Sequence, residues 1–161
     1  AGIPDSILCK PGPLTSAEFR FMQTHSTIGG DTMRTVLDQF ETHGFLIMAM
    51  EIAYSHHERW DGYGYPHGLL GEEMPLAARI VALVDSYDTI TSKRPYKLAV
   101  PHGEAVQRIV VDSGRHFEPA IVEAFLTCHA DFESIRRQVS RTEPESETRD
   151  TEDRPTKESS S

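Results

Sequence analysis

His56-His57-Glu58-Arg59-Trp60-Asp61-Gly62-Tyr63-Gly64-Tyr65-Pro66 is the stretch on which the reading of this chain turns. It begins where an apolar helix ends and leads into a segment with neither helical nor strand periodicity. Adjacent imidazoles at a helix end can face neighbouring metal ions, or one can face an ion and the other something else. Taken alone, such a pair equally suits a helix C-terminal cation. The glycine-rich run continues through Gly68 and Gly71 to Met74, with Trp60, Tyr63 and Tyr65 set among the glycines. Irregular loops of this length are either functional or disordered, and the rings favour a functional loop.

Helical patterns lie on both sides. Upstream, Pro4-Asp5 and Pro11-Gly12-Pro13 predict an extended, turn-rich lead-in. Thr15 and Glu18 form a capping box that opens a helix to about Thr24, with His25 at its end. Gly29-Gly30 predict a break, after which Asp31 caps a helix carrying Met33, Val36, Leu37 and Phe40 on one stripe. A third helix, from Phe45 to about His56, is apolar nearly all round, which predicts a central, buried position. Downstream, Pro75 suits the first turn of a helix to about Ser92, with Ala78, Val81, Ala82, Val84 and Ile90 as its packed side. Further helices are expected over about Gly103 to Val111 and from Pro119 to about Val139. No segment alternates as a strand, so the expected class is all-α.

The chain has 161 residues, 38% apolar and 25% charged, with a formal net charge of −9. That balance argues against nucleic-acid polymers and anionic lipid as partners, but not against a small phosphorylated ligand held by local cations. Cys9 and Cys128 form no metal knuckle or disulfide framework, and a reducing, cytoplasmic setting is the expectation. No apolar run reaches a membrane span. From Ser140 the composition shifts to Ser, Thr, Glu, Asp, Arg and Pro, about −3 of the total −9. Residues 1–139 are thus expected to form the folded domain and 140–161 a disordered polar tail.

The segment 56–66 resembles the H-H-E-R-W-D-G-x-G-Y-P signature of HD-GYP domains. The likeness continues in Pro75–Val81, in Asp85-Ser86-Tyr87-Asp88-Thr89-Ile90-Thr91-Ser92, in Arg94-Pro95-Tyr96-Lys97 and in Gly114-Arg115-His116-Phe117-Glu118-Pro119. Upstream it takes in Ile3–Leu8, Lys10-Pro11-Gly12 and Thr24–Gly29. So many matches in order make it far more specific than a single short motif. The resemblance implies a helical bundle of the HD-domain type and a two- or three-metal centre, iron or manganese most often. The implied activity is hydrolysis of cyclic di-GMP to the linear dinucleotide and on to GMP, in bacterial signal transduction.

Carried over position by position, the resemblance implies His25, His56, His57 and Asp85 as metal ligands. It implies Arg94 and Lys97 as holders of substrate phosphate, and Gly64, Tyr65 and Pro66 as the loop shaping the pocket. Imidazole and carboxylate suit Fe, Mn or Zn, and arginine can clamp phosphate oxygens. Without the motif, Arg94 and Lys97 are ordinary solvated charges. Asp85, in an apolar helix, would be costly to bury unless paired or metal-bound. Glu58 and Asp61 are expected to fix the loop, and Asp88 either to orient a histidine or to stay in solvent. His43, His67, His102, His116 and His129 are given no metal role, and no residue is singled out as a catalytic acid or base.

One departure stands out. The family's His-Asp pair normally lies just before the G-I-P-D segment, and no His-Asp dipeptide occurs in these residues. The chain opens at Ala1 without Met, as a fragment or a processed product would. The expectation is therefore an N-terminally truncated bundle with impaired activity, since the absent Asp would bridge two metals. The alternative is a degenerate module that binds cyclic di-GMP, or a partner such as a diguanylate cyclase domain, without turnover. The resemblance also implies upstream receiver domains of two-component systems, and exposed apolar surface inviting self-association.

Overall fold

The computed structural model describes residues 2–39, 44–92 and 98–142. Regular structure among them is helical apart from two isolated bridge pairs, Asp61 with Leu70 and Ser113 with Phe117. The helices are α1 (Asp5–Leu8), α2 (Ser16–Leu37), α3 (Gly44–Ser55), α4 (Leu76–Thr91), α5 (His102–Val111) and α6 (Pro119–Thr142), with a 3-10 turn at Gly71–Glu73. The all-α expectation holds. The short α1 occupies part of the stretch expected to be extended; Leu8 and Cys9 bond back to the carbonyls of Pro4 and Asp5. The fold resolves into two compact units, Ala1–His129 and Ala130–Ser161. Helix α6 runs three residues past 139, and the rest of the proposed tail lies outside the described residues, as do Phe40, His43, Arg94 and Lys97.

Helix α2 begins as the capping box requires. The Glu18 N–H donates to Thr15 Oγ1 at 3.3 Å, and the Thr15 N–H donates to Glu18 Oε2 at 2.7 Å. The expected break at Gly29-Gly30 is absent, and the helix runs on to Leu37. Glycine inside a helix costs about 1 kcal/mol relative to alanine, but here it makes room for a neighbour. A Cβ on Gly30 would lie 2.3 Å from the Tyr54 ring of α3, and one on Gly29 would lie 3.6 Å from the Ala53 Cβ. The pair is a contact surface for α3, and α2 with α3 forms the most extensive helix pair. His25 therefore sits within a continuous helix, not at its end.

The hydrophobic core lies elsewhere. Met74, Ala78, Ala82, Leu83, Tyr87, Ala105, Ile109, Phe117, Val122 and Phe125 are buried, which places the core among α4, α5 and the start of α6. The expectation that α3 is central and buried is corrected. Its only buried residue is Ser55, while Phe45 is 71% exposed and Met48 41%. α3 packs on α2 and α4 and leaves its remaining side open. On α4 the buried face carries Ala78, Ala82, Leu83, Tyr87 and Thr91, while Val84 turns outward with Leu76 and Ile80.

Candidate functional site

Three imidazoles converge where α2 meets the end of α3. His25 Nε2 lies 3.0 Å from His57 Nε2 and 3.3 Å from His56 Nε2. The local fold explains how neighbours in sequence reach one point. Adjacent residues on a continuing helix point about 100° apart. α3 stops at Ser55, and the turn through His56 and His57 brings both rings to the same side, 4.1 Å between centroids.

The outer nitrogens decide what the inner ones can do. His25 Nδ1 donates to the Met22 carbonyl at 2.6 Å, and His56 Nδ1 donates to those of Ile52 and Ala53 at 2.9 and 3.1 Å. With those protons committed to carbonyls, the two Nε2 atoms are left to face one another across 3.3 Å. Two facing lone pairs are stable only with a cation or a proton between them. Histidine metal ligands are oriented in this way, by a carbonyl on the far nitrogen. The donor set, three imidazole nitrogens within 4.8 Å of one another, fits a divalent transition metal. Burial first, and then the imidazoles of His56, His25 and His116, push the His57 pKa down to about 4. That shift favours the neutral ring, with a lone pair to offer.

The glycine-aromatic loop is built around Glu58, which is 0% exposed. Its carboxylate accepts the backbone N–H groups of His67 at 2.6 Å, Gly68 at 3.2 Å and Leu69 at 3.1 Å, drawing residues 67–69 back onto 58. Gly64 crosses so closely that a Cβ there would sit 2.4 Å from the Arg59 nitrogen and the Glu58 Cα. Tyr65, joined to Pro66 by a cis peptide, stacks on the His57 ring at 4.8 Å. Burial, and then the Asp85 carboxylate, push the Tyr65 hydroxyl up to about 12. Asp61 pairs with Arg59 through two hydrogen bonds of 2.9 and 2.7 Å. Those bonds hold its carboxyl below the usual range. Both expected loop-fixing acids thus make loop contacts.

The loop is also stitched to the α5–α6 connection. The Trp60 N–H donates to the His116 carbonyl at 3.1 Å, and the Asp61 N–H to that of Arg115 at 2.8 Å. The Arg79–Glu118 ion pair at 2.7 Å, with Arg79 over the Trp60 ring, reinforces the same junction.

A cleft of about 570 Å³ opens over the triad, lined by His25, His56, His57, Asp85, Ser86, Thr89, Ile90, Arg108, Ile109, Asp112, His116 and Phe117. The structure brings Asp85 to the cleft but leaves it exposed and outside the tight group of three imidazoles. Gly64, Tyr65 and Pro66 form the loop beside His57. Asp88 is exposed and accepts the Ser92 hydroxyl at 3.2 Å. Arg94 and Lys97 lie outside the described residues. Sequence reasoning passed over Arg108 and Asp112, and left His116 to packing. His116 does stack on Phe117 at 4.3 Å, but it also lines the cleft.

No helix among the described residues is long and apolar enough to cross a membrane. Residues 1–121 match the HD domain family. The chain is 49% identical over 134 residues to a cyclic di-GMP phosphodiesterase of Vibrio cholerae, covering 83% of this chain and 27% of that protein. It is 44% identical over 137 residues to a cyclic di-GMP phosphodiesterase of Thermotoga maritima, covering 85% and 36%. The crystal structure of a cyclic GMP-AMP specific phosphodiesterase of Vibrio cholerae superposes with a TM-score of 0.51 at 25% identity, over 79% of this chain and 27% of that one. The chain spans well under half the length of each of these proteins. With three-quarters of its length matched and its helical architecture shared, it belongs to the HD domain family.

Proposed function

We propose that this chain supplies the triple-histidine part of an HD-GYP phosphodiesterase, a metal-dependent hydrolase that opens cyclic di-GMP to its linear dinucleotide. The observation that carries the reading is the convergence of three imidazole nitrogens, two of the rings fixed by backbone carbonyls, under a cleft large enough for a nucleotide. His25, His56 and His57 would hold the first ion, with Asp85 as the nearby carboxylate. A bound divalent iron or manganese supplies water acidified at neutral pH and neutralises charge on the phosphoryl oxygens.

The chain's own groups do the rest. The carbonyls of Met22, Ile52 and Ala53 keep the ring protons of His25 and His56 away from the cleft. The Tyr65 ring fixes the His57 plane, and its hydroxyl keeps its proton throughout the working range. Arg94 and Lys97 are proposed to take substrate phosphate. Hydrolysis adds water across one P–O bond: hydroxide goes to phosphorus and the proton to the departing 3′ oxygen.

A second reading, a cyclic di-GMP binding module without turnover, draws on one observation. Asp85 stands apart from the triad, so the tight ligand group is three imidazoles suited to a single ion. The same placement is the ground for proposing that hydrolysis by these residues alone is weak. The test is purified protein loaded with Mn or Fe(II) and given cyclic di-GMP, with products resolved by chromatography. Linear product that disappears in His56→Ala supports the phosphodiesterase. Stoichiometric binding without product selects the module. Neither binding nor product overturns both readings.

A further inference from the structure

The cleft has a wall that the phosphodiesterase reading does not use. Arg108 and Asp112 stand one turn apart on α5 and at its C-cap, and both line the cleft with the triad. Glu104, one turn earlier, accepts from Arg108 Nη2 at 2.6 Å, and both groups are about half exposed. That bond holds the guanidinium while leaving N–H groups on both terminal nitrogens free. The Asp112 carboxylate lies within electrostatic reach of Arg59 and His116 but takes no side-chain hydrogen bond among the described residues; its backbone carbonyl caps the turn to Phe117.

A cationic fork beside a half-buried carboxylate is a poor phosphate seat, because the carboxylate repels the anion. It suits a group with acceptors on one edge and donors on another. Guanine is such a group: O6 and N7 accept, while N1–H and the exocyclic amine donate. Adenine turns both relations round at the decisive positions, with an amine where guanine has O6 and an acceptor at N1.

We infer that Arg108 and Asp112 are specificity-determining residues that read guanine, Arg108 through O6 and N7 and Asp112 through N1–H and the 2-amino group. This rests on the reading of the cleft as a cyclic dinucleotide site and deepens it by naming the base.

The test is equilibrium binding of cyclic di-GMP, cyclic GMP-AMP and cyclic di-AMP to Mn-loaded chain, wild type and two variants, Arg108→Gln and Asp112→Asn. Both positions sit on the surface of a helix end, and circular dichroism reports whether the variants fold. The wild type is expected to favour cyclic di-GMP over cyclic di-AMP by about 10-fold or more, the discrimination of one good bidentate contact. Arg108→Gln should erase most of that preference, because glutamine pairs with adenine N6 and N7. Asp112→Asn should narrow it by several-fold without weakening cyclic di-AMP.

An equal loss for all three ligands would assign Arg108 to phosphate and overturn the inference while leaving the phosphodiesterase reading intact. Unchanged ratios in both folded variants would do the same. Wild-type chain that binds none of the three would overturn the dinucleotide site itself, and the inference with it.

Discussion

Replacing Glu58 with glutamine changes one oxygen to nitrogen and tests what holds the glycine-aromatic loop together. Glu58 is fully buried, and its two oxygens accept three backbone N–H groups from residues 67–69. Glutamine has one oxygen. If that oxygen keeps the His67 and Gly68 bonds, the amide nitrogen must face the Leu69 N–H, donor to donor. An orphaned buried donor costs about 1–3 kcal/mol. The two surviving bonds lose their charge assistance, roughly half their strength. Together these come to about 3 kcal/mol, a large share of the 5–15 kcal/mol by which domains are stable. With a urea slope of about 1.5 kcal/mol/M, the midpoint falls by ~2 M. Glu58→Ala orphans three donors but opens space for water, so its loss should be of similar size. Urea titration reads the global effect, and amide hydrogen exchange at 67–69 reads local opening. A Gln variant with the wild-type midpoint and unchanged exchange at those three amides would show that the Glu58 carboxylate does not hold the loop.

The remaining expectations concern the triad and its surroundings. His25→Ala removes the imidazole that touches both others, and Mn or Fe(II) affinity should fall by more than about 100-fold if the triad holds the ion, since even an outer-shell partner is worth 10–100-fold. Metal content after dialysis, together with loss of the metal-induced rise in melting temperature, measures it. His57 gives a pH dependence in metal-free protein. The native ring resists protonation down to about 4 whereas the unfolded one takes a proton near 6.5. Stability should therefore decline as pH falls from 6.5 toward 4 and level off below. His57→Gln should flatten that slope in a series of denaturation midpoints. His116, also lowered by burial first, keeps part of it. Gly64→Ala places a Cβ 2.4 Å from the Glu58 Cα and the Arg59 nitrogen. The backbone must shift, at about 1–3 kcal/mol. Calorimetry should show a melting temperature lower by about 3–10 °C.

Helix beginnings were legible where a residue acts on its own backbone. Thr15 with Glu18 caps α2, and Pro75 and Pro119 open α4 and α6, because each effect is complete within one turn. Gly29-Gly30 misled for the opposite reason. Glycine can end a helix or let another helix approach, and the deciding neighbour, Tyr54, lies more than twenty residues away in sequence. The apolar run of α3 was visible too, but hydrophobicity states only that a surface prefers to be covered. It does not say which side α2 and α4 take or which side stays open.

The site divides along the same line. The identity of the imidazoles is local information, and so is the loop chemistry of Glu58 and Gly64. Their convergence is not, because His56 and His57 reach one point only since α3 ends at Ser55 and His25 stands inside an unbroken α2. Arg108 and Asp112 were harder still. An arginine one turn from acids at 104 and 112 reads as an ordinary solvated helix face. What turns that face into a cleft wall is a pair of backbone hydrogen bonds, Trp60 to His116 and Asp61 to Arg115, that pull the glycine-aromatic loop onto the α5–α6 connection. Backbone atoms are the same in every sequence, so nothing in the side chains announces the junction. The imidazole half of this cleft is thus written in residue types, while the half proposed to choose the base is written in how two loops meet.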